Sequence, residues 1–369
     1  MKLKTKHFVR FFSFMAIFAL VITLISYFLF FELGPSTTSY GTFYLESRNS
    51  LDLVMVGSST VRDGFIPMEA YHQAGITCHS IDSSPTHLEV IKIAVDEIAR
   101  TQKPKVVYID LNGLNNQTKE NANTFVKDYF SSMPDDDETK KVKKMLCEQY
   151  TYLNDSESWE PFRGHNSFRQ QIYWESFVYN EQFYTKGYFP QTGIKEAKVC
   201  QVDPDKTLPL STDAEIYLDE ILSVCRKYPD IQFLFGQMPR YLSDKIASFD
   251  MYQIHSPLEA TYMVRSAKKK VEENGYVFLD YSSNEFLSQT LHLDPKKDQY
   301  DAEHLNHRGA KKFTKYFTRY LMETYFDNTR PVHTKEVEED FEKTYKEYKK
   351  ISKKAEKKLK MNEEEKSDD

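Results

Sequence analysis

Apolar positions follow two rhythms along this chain, one long run at the start and a series of short runs after it. From Phe11 to Phe31 the sequence FFSFMAIFALVITLISYFLFF passes 21 positions without a charge. As a helix this run spans roughly 30 Å, the thickness of a bilayer's hydrocarbon core. Lys2, Lys4, Lys6 and Arg10 precede it and Glu32 follows. The positive-inside rule therefore predicts a cytoplasmic N-terminus (residues 1–10), a single transmembrane anchor (residues 11–31) and an exported remainder. A cleaved signal peptide would have a shorter apolar core and an A-x-A-like site, which Glu32-Leu33-Gly34-Pro35-Ser36 does not offer. A buried soluble helix would carry a polar face.

After a Ser-, Thr-, Gly- and Tyr-rich stretch expected to be a linker (residues 32–50), short β-rich runs alternate with helical patterns. Leu51–Val56, Lys105–Asp110, Ile231–Phe235 and Tyr276–Asp280 read as strands. Leu88–Arg100, Asp213–Lys227 and Ala260–Asn274 read as helices, the last with Gly275 as its C-cap. This alternation predicts an α/β fold, a three-layer α/β/α sandwich around a central parallel sheet, over residues 51–330. Ligands of such sheets sit at the carboxyl ends of the strands, where Gly57-Ser58-Ser59 and the residues after Asp110 fall.

Two segments break the rhythm. Residues 115–212 read as an insertion, and between Trp159 and Phe189 there are 11 aromatics. These are expected to pack a small core of their own rather than to line a sugar-binding cleft. Residues 334–369 are densely charged but nearly balanced, with Phe341, Tyr345, Tyr348, Ile351, Ala355 and Leu359 at helical spacing. A charged helical or disordered tail with one thin apolar stripe is expected there.

Composition narrows the function classes. Lys+Arg 49 against Asp+Glu 55 gives a net charge of −6, without the basic surplus that duplex binding needs. Cys78, Cys147, Cys200 and Cys225 have no C-x-x-C spacing, so neither a zinc ribbon nor a disulfide-dense scaffold fits, although one or two disulfides would be compatible. Asp135-Asp136-Asp137-Glu138 lacks the alternation and glycine of a calcium loop, and His165 stands apart from any metal-ligand spacing. No metal and no cofactor is expected.

Two short segments carry chemistry. A strand ending in Gly57-Ser58-Ser59 puts a hydroxyl at a helix start, where unpaired backbone N–H groups favour negative charge, although most such turns are only caps. Near the other end, Asp301-Ala302-Glu303-His304 spaces a carboxylate and an imidazole three apart, which on one helical turn would face the same side. The carboxylate can then fix the imidazole tautomer and leave the other ring nitrogen to take a serine proton. His292 and His307 flank this base and are its rivals.

The two segments together, with α/β units between them, resemble the SGNH hydrolases, also called GDSL-like esterases. The resemblance covers residues 51–115 and 230–325 and implies that Ser59 is the nucleophile, His304 the general base and Asp301 its orienting partner. It also implies a flavodoxin-like sheet. Ser58 stands where the family has Asp. The second block's glycine is replaced around Ile81-Asp82-Ser83-Ser84, so Ser84 or Ser83 would supply the oxyanion-hole N–H beside that of Ser59. The third block, G-x-N-D, is missing, and Asn112 is the nearest candidate for its asparagine. Gly57 to Pro67 and Asp301 to Ala310 look closest to the membrane-anchored bacterial branch, which includes proteins similar to the teichoic-acid D-alanylation esterase and the helpers of polysaccharide O-acetylation. That branch implies an extracytoplasmic serine esterase or acyltransferase at the cell membrane. It would act on acyl groups of a cell-envelope glycopolymer, with a membrane-bound O-acyltransferase as a partner. The altered blocks leave a second expectation open, a non-catalytic envelope protein that binds the glycopolymer or the membrane partner.

Overall fold

The computed structural model describes residues 2–29, 35–82, 87–116, 126, 129–130, 133, 137, 139–151, 153, 184–197, 199–245, 255–301 and 303–367. Their elements are, in order, α1 (Lys2–Leu29), α2 (Pro35–Phe43), β1 (Leu53–Gly57), α3 (Ser59–Gly64), α4 (Pro67–Ala74), β2 (Cys78–Asp82) and α5 (Leu88–Thr101). There follow β3 (Val106–Asp110), a 3-10 turn (Asn112–Asn116), α6 (Thr139–Gln149), α7 (Thr212–Cys225), β4 (Gln232–Gln237), α8 (Pro257–Glu273) and β5 (Val277–Asp280). The described chain ends with α9 (His307–Tyr325) and α10 (Lys335–Ser367).

The five strands form one parallel sheet in the order β2-β1-β3-β4-β5. Strand alternation sends side chains to two cores. Val54, Val56, Val107, Ile109, Phe233 and Phe235 meet α5, α7 and α8 on one face. Leu53, Met55, Tyr108 and Leu234 meet α3, α4 and α9 on the other. Because both faces are covered, β1 and β3 are buried throughout and read as unbroken apolar runs. The order reverses direction at β1, so the crevice between the carboxyl ends of β1 and β3 is where a ligand site belongs.

Three features depart from the expectations. β2 was not foreseen, because Cys78-His79-Ser80-Ile81-Asp82 is too polar to read as a buried strand. Its edge is covered by two segments. One is α2, within the expected linker: Tyr40 and Phe43 are buried, Ser39 Oγ donates to the Ser80 carbonyl, and the Asp82 N–H donates back to Ser39 Oγ. The other is residues 184–189, where the Ser80 N–H donates to the Lys186 carbonyl at 2.9 Å. Gly187 is in the left-handed region (φ +87), and a Cβ there would lie 2.0 Å from the Ser80 carbonyl oxygen.

The third departure, after β2 and α2, is the docking of the C-terminal segment, whose expected helix runs from Lys335 to Ser367. Phe341, Tyr348, Ile351, Ala355 and Leu359 are buried, so the apolar stripe is a packing face. Arg308–Glu363, Lys311–Glu356 and Lys186–Asp340 ion pairs flank it.

At the other end, α1 begins within the basic segment and passes through the apolar run, with Phe8, Phe11, Phe12, Phe14, Ile17, Phe18 and Leu20 exposed. Among the described residues no helix is long and apolar enough to cross a membrane. Most of the aromatic-rich insertion, His165 and most of the acidic turn lie outside the described residues. Among the described residues the four cysteines form no disulfide.

Candidate active site

The Gly57-Ser58-Ser59 turn is shaped by close approach. A Cβ on Gly57 would lie 2.4 Å from the Asp110 Cβ and 2.7 Å from Val61 Cγ2, so only glycine lets β1 and β3 meet here. The Asp110 carboxylate then grips both hydroxyls flanking Ser59: Ser58 Oγ and Thr60 Oγ1 each donate to Oδ2 at 3.0 Å. Burial raises the Asp110 pKa, against the opposing pull of Arg240 and the two hydroxyls. Ser58 caps α3 through its side chain, which makes Ser59 the first helical residue. Its N–H therefore has no intrahelical acceptor, and its side chain is only half-buried.

His304 arrives from a loop. Asp301 and His304 were expected on one turn of helix, but their backbone is non-helical, and a carboxylate-capped turn joins them instead. Asp301 Oδ1 accepts from the backbone N–H of Glu303 at 2.7 Å and of His304 at 2.9 Å. Both carboxylate oxygens lie 2.9 Å from His304 Nδ1. Nδ1 is thus the donor, and Nε2 is left as an acceptor facing Ser59 Oγ at 2.7 Å, across 245 residues of chain. Just beyond, Asn306 caps α9 by accepting from the N–H groups of Arg308 and Gly309, and its Nδ2 donates to the Lys297 carbonyl at 2.7 Å.

Charges around the pair set its protonation. Burial lowers the His304 pKa, but the bond from Asp301 and the charges of Asp63 and Asp301 outweigh it and raise the group above 6.5. Burial likewise raises the Asp301 pKa, and the His304 bond, the His304 charge and the two backbone donors more than reverse that. Asp63 is held by an Arg62 fork (Nε to Oδ1 at 2.7 Å, Nη2 to Oδ2 at 3.0 Å) and by Gln191 Nε2 at 3.0 Å.

The rival histidines are engaged elsewhere. His307 lies between Tyr188 OH (2.8 Å) and Ser352 Oγ (2.9 Å), and His292 is exposed in a basic groove beside Lys312 and Lys315. Of the oxyanion candidates, Ser83 and Ser84 lie outside the described residues. Asn112 opens the turn after β3, with Oδ1 accepting from Arg240 Nη2 at 2.6 Å. Sequence reasoning passed over Asp63, Asp110 and Arg240. Asp110 ends a recognised strand, which is the one signal that pointed to it.

Among the described residues no cluster of His, Cys, Asp or Glu is arranged to hold a metal ion.

No family model matches the chain. No curated protein matches it. A solved structure of a gut microbial diltiazem-metabolizing enzyme is similar over 74% of this chain and 47% of that one, at 9% identity and a TM-score of 0.36. The chain thus spans about half the length of that protein, and the two folds are only loosely alike.

Proposed function

We propose that this chain is a membrane-anchored serine esterase or O-acyltransferase of the SGNH type, acting outside the cytoplasmic membrane on acyl groups of a cell-envelope glycopolymer. The observation that carries the reading is the relay Ser59 Oγ–His304 Nε2 (2.7 Å) and His304 Nδ1–Asp301 (2.9 Å) at the carboxyl end of β1. A hydroxyl paired with an oriented, neutral imidazole is the minimum for nucleophilic acyl transfer.

In the first step Ser59 Oγ bonds to the ester carbonyl carbon while its proton passes to His304 Nε2. The carbonyl π pair moves to oxygen, and the Ser59 N–H and the Asn112 amide stabilise that charge. Collapse breaks the bond to the leaving oxygen, which takes the proton from His304 and leaves an acyl-serine. An incoming hydroxyl, from water or a sugar, gives its proton to His304 and bonds to the acyl carbon; the bond to Ser59 Oγ then breaks, and Ser59 Oγ takes the proton back from His304. Asp301 keeps the imidazolium oriented throughout.

The 21-residue apolar run behind a basic segment supports the anchor, and the exposed Phe and Leu side chains of α1 agree with it. The resemblance of the two motifs supports the glycopolymer and a membrane-bound O-acyltransferase as donor of the acyl group.

Labelling of membranes with a fluorophosphonate probe tests both parts. The wild-type chain is expected to label, Ser59→Ala to stay unlabelled, and the labelled band to remain with carbonate-washed membranes. No labelling of the wild type replaces the enzyme with a non-catalytic binder of glycopolymer or membrane partner. A labelled chain starting after residue 36 in the medium removes the anchor.

A further inference from the structure

Arg240 follows β4 and is 3% exposed, with its charge facing two carboxylates: Asp110, whose pKa it lowers, and Glu303. Nη2 donates to Asn112 Oδ1 at 2.6 Å. Nη1 is buried without a hydrogen bond and lies 3.8 Å from Glu303 Oε2, too long for a direct bond. A buried guanidinium so placed costs stability, which makes its two contacts worth explaining.

A guanidinium only donates, so the Asn112 atom facing it must be the carbonyl oxygen, and the amide nitrogen must take the opposite branch. Among the described residues that nitrogen has no hydrogen-bond partner, and the side chain is half-buried rather than sealed. Asn112 stands two residues past Asp110, the carboxylate that holds Ser58 and Thr60 on either side of Ser59. Glu303, at the far side of Arg240, immediately precedes His304. The guanidinium therefore bridges the β3 end, which shapes the nucleophile turn, and the loop that carries the base.

We propose that Arg240 is a positioning residue that turns Asn112 so that Nδ2 is presented to the oxyanion formed at Ser59, and that ties this donor to the His304 loop through Glu303. The inference rests on the acyl-transfer reading above. Without Arg240 the amide can flip and offer its oxygen, which repels the developing charge.

The test is kcat and KM on p-nitrophenyl acetate, with fluorophosphonate labelling of Ser59 beside it. Asn112→Asp keeps an acceptor for Arg240 and the shape of the side chain but loses the donor, so kcat is expected to fall about a hundredfold or more with KM little changed. Arg240→Gln is expected to lower kcat by at least tenfold, with partial recovery on adding guanidinium. Combining it with Asn112→Asp should cost little beyond Asn112→Asp alone, because the two residues act as one unit. Arg240→Lys serves as a second variant should the Gln form fold poorly, and it too should lose kcat, since a lysine cannot reach both partners as a fork. Losses that multiply in the double variant, or an Asn112→Asp chain with wild-type kcat, overturn the role of Arg240 and leave the Ser59 reading standing. A wild-type chain that neither labels nor turns over removes both.

Discussion

His304 is pulled two ways, and in the proposed acyl transfer that balance sets the working pH. Only the neutral imidazole can accept the Ser59 proton, so kcat/KM must rise with pH along a limb that tracks its titration. That limb is expected above pH 6.5, since Asp301 and Asp63 together outweigh burial. Asp63→Asn deletes one of those charges and leaves Arg62, which lowers the same group, without its fork. The limb of this variant should therefore move to lower pH in a kcat/KM profile on an activated ester. An unmoved midpoint would mean that Asp63 has no electrostatic hold on the base. At this scale the sequence was readable where two residues are close along the chain, as in D-x-x-H and G-S-S. It was opaque where a side chain acts across the sheet. Nothing in the local sequence around Pro239-Arg240-Tyr241 announces a buried guanidinium, because its partners are supplied by segments more than a hundred residues away in one direction and sixty in the other.

Elements were legible in proportion to how far their own residues dictate them. β1, β3, β4 and β5 are apolar runs, and α5, α7 and α8 carry apolar faces with side-chain caps at His87, Ser211 and Ser256. β2 and α2 were missed for a common reason: each exists because the other covers it. Pro35–Phe43 is rich in Ser, Thr and Gly, poor helix formers, and the expectation of a linker followed propensity alone. Tertiary contacts at Ser39 and Thr42 override it. The apolar stripe of α10 was visible, but that it docks could not be read from a segment so densely charged. Its packing is measurable. Phe341 is 1% exposed, lies 5.1 Å from the Tyr71 ring and has Lys186 Nζ 4.4 Å from its centroid. Phe341→Ala should cost about 3–5 kcal/mol in denaturant unfolding, as for other buried phenylalanines. A change within about 0.5 kcal/mol would mean that α10 stands off the domain in solution.

Across the whole molecule, buried histidines set the acid limit of stability. Burial and nearby Lys186 hold His79 down to about 3, and burial and nearby Lys311 hold His307 down to about 4. Both bind protons more readily when unfolded, so each contributes stability that is complete above pH 6.5 and lost as pH falls toward its folded value. For His307 the loss approaches roughly 3 kcal/mol by pH 4. His304 has the opposite sign: its contribution is present below 6.5 and fades as pH rises through its raised value. Urea midpoints between pH 7 and 4 should fall, and His307→Gln, which keeps donor and acceptor for Tyr188 and Ser352, should flatten the slope. A slope equal to that of the wild type would show that His307 is already charged in the native state.

The 245-residue gap between serine and imidazole carries a consequence for how such a chain is made. Contacts of that separation close late, because their loop entropy must be overcome before they contribute anything. A chain emerging from its ribosome or translocon can complete β1, β2 and β3 and already display Ser59. The proton acceptor is then still unsynthesised. Under the proposed acyl transfer, nascent or clipped forms would stay silent toward neighbouring esters, and hydrolytic competence would certify that folding has run to its end.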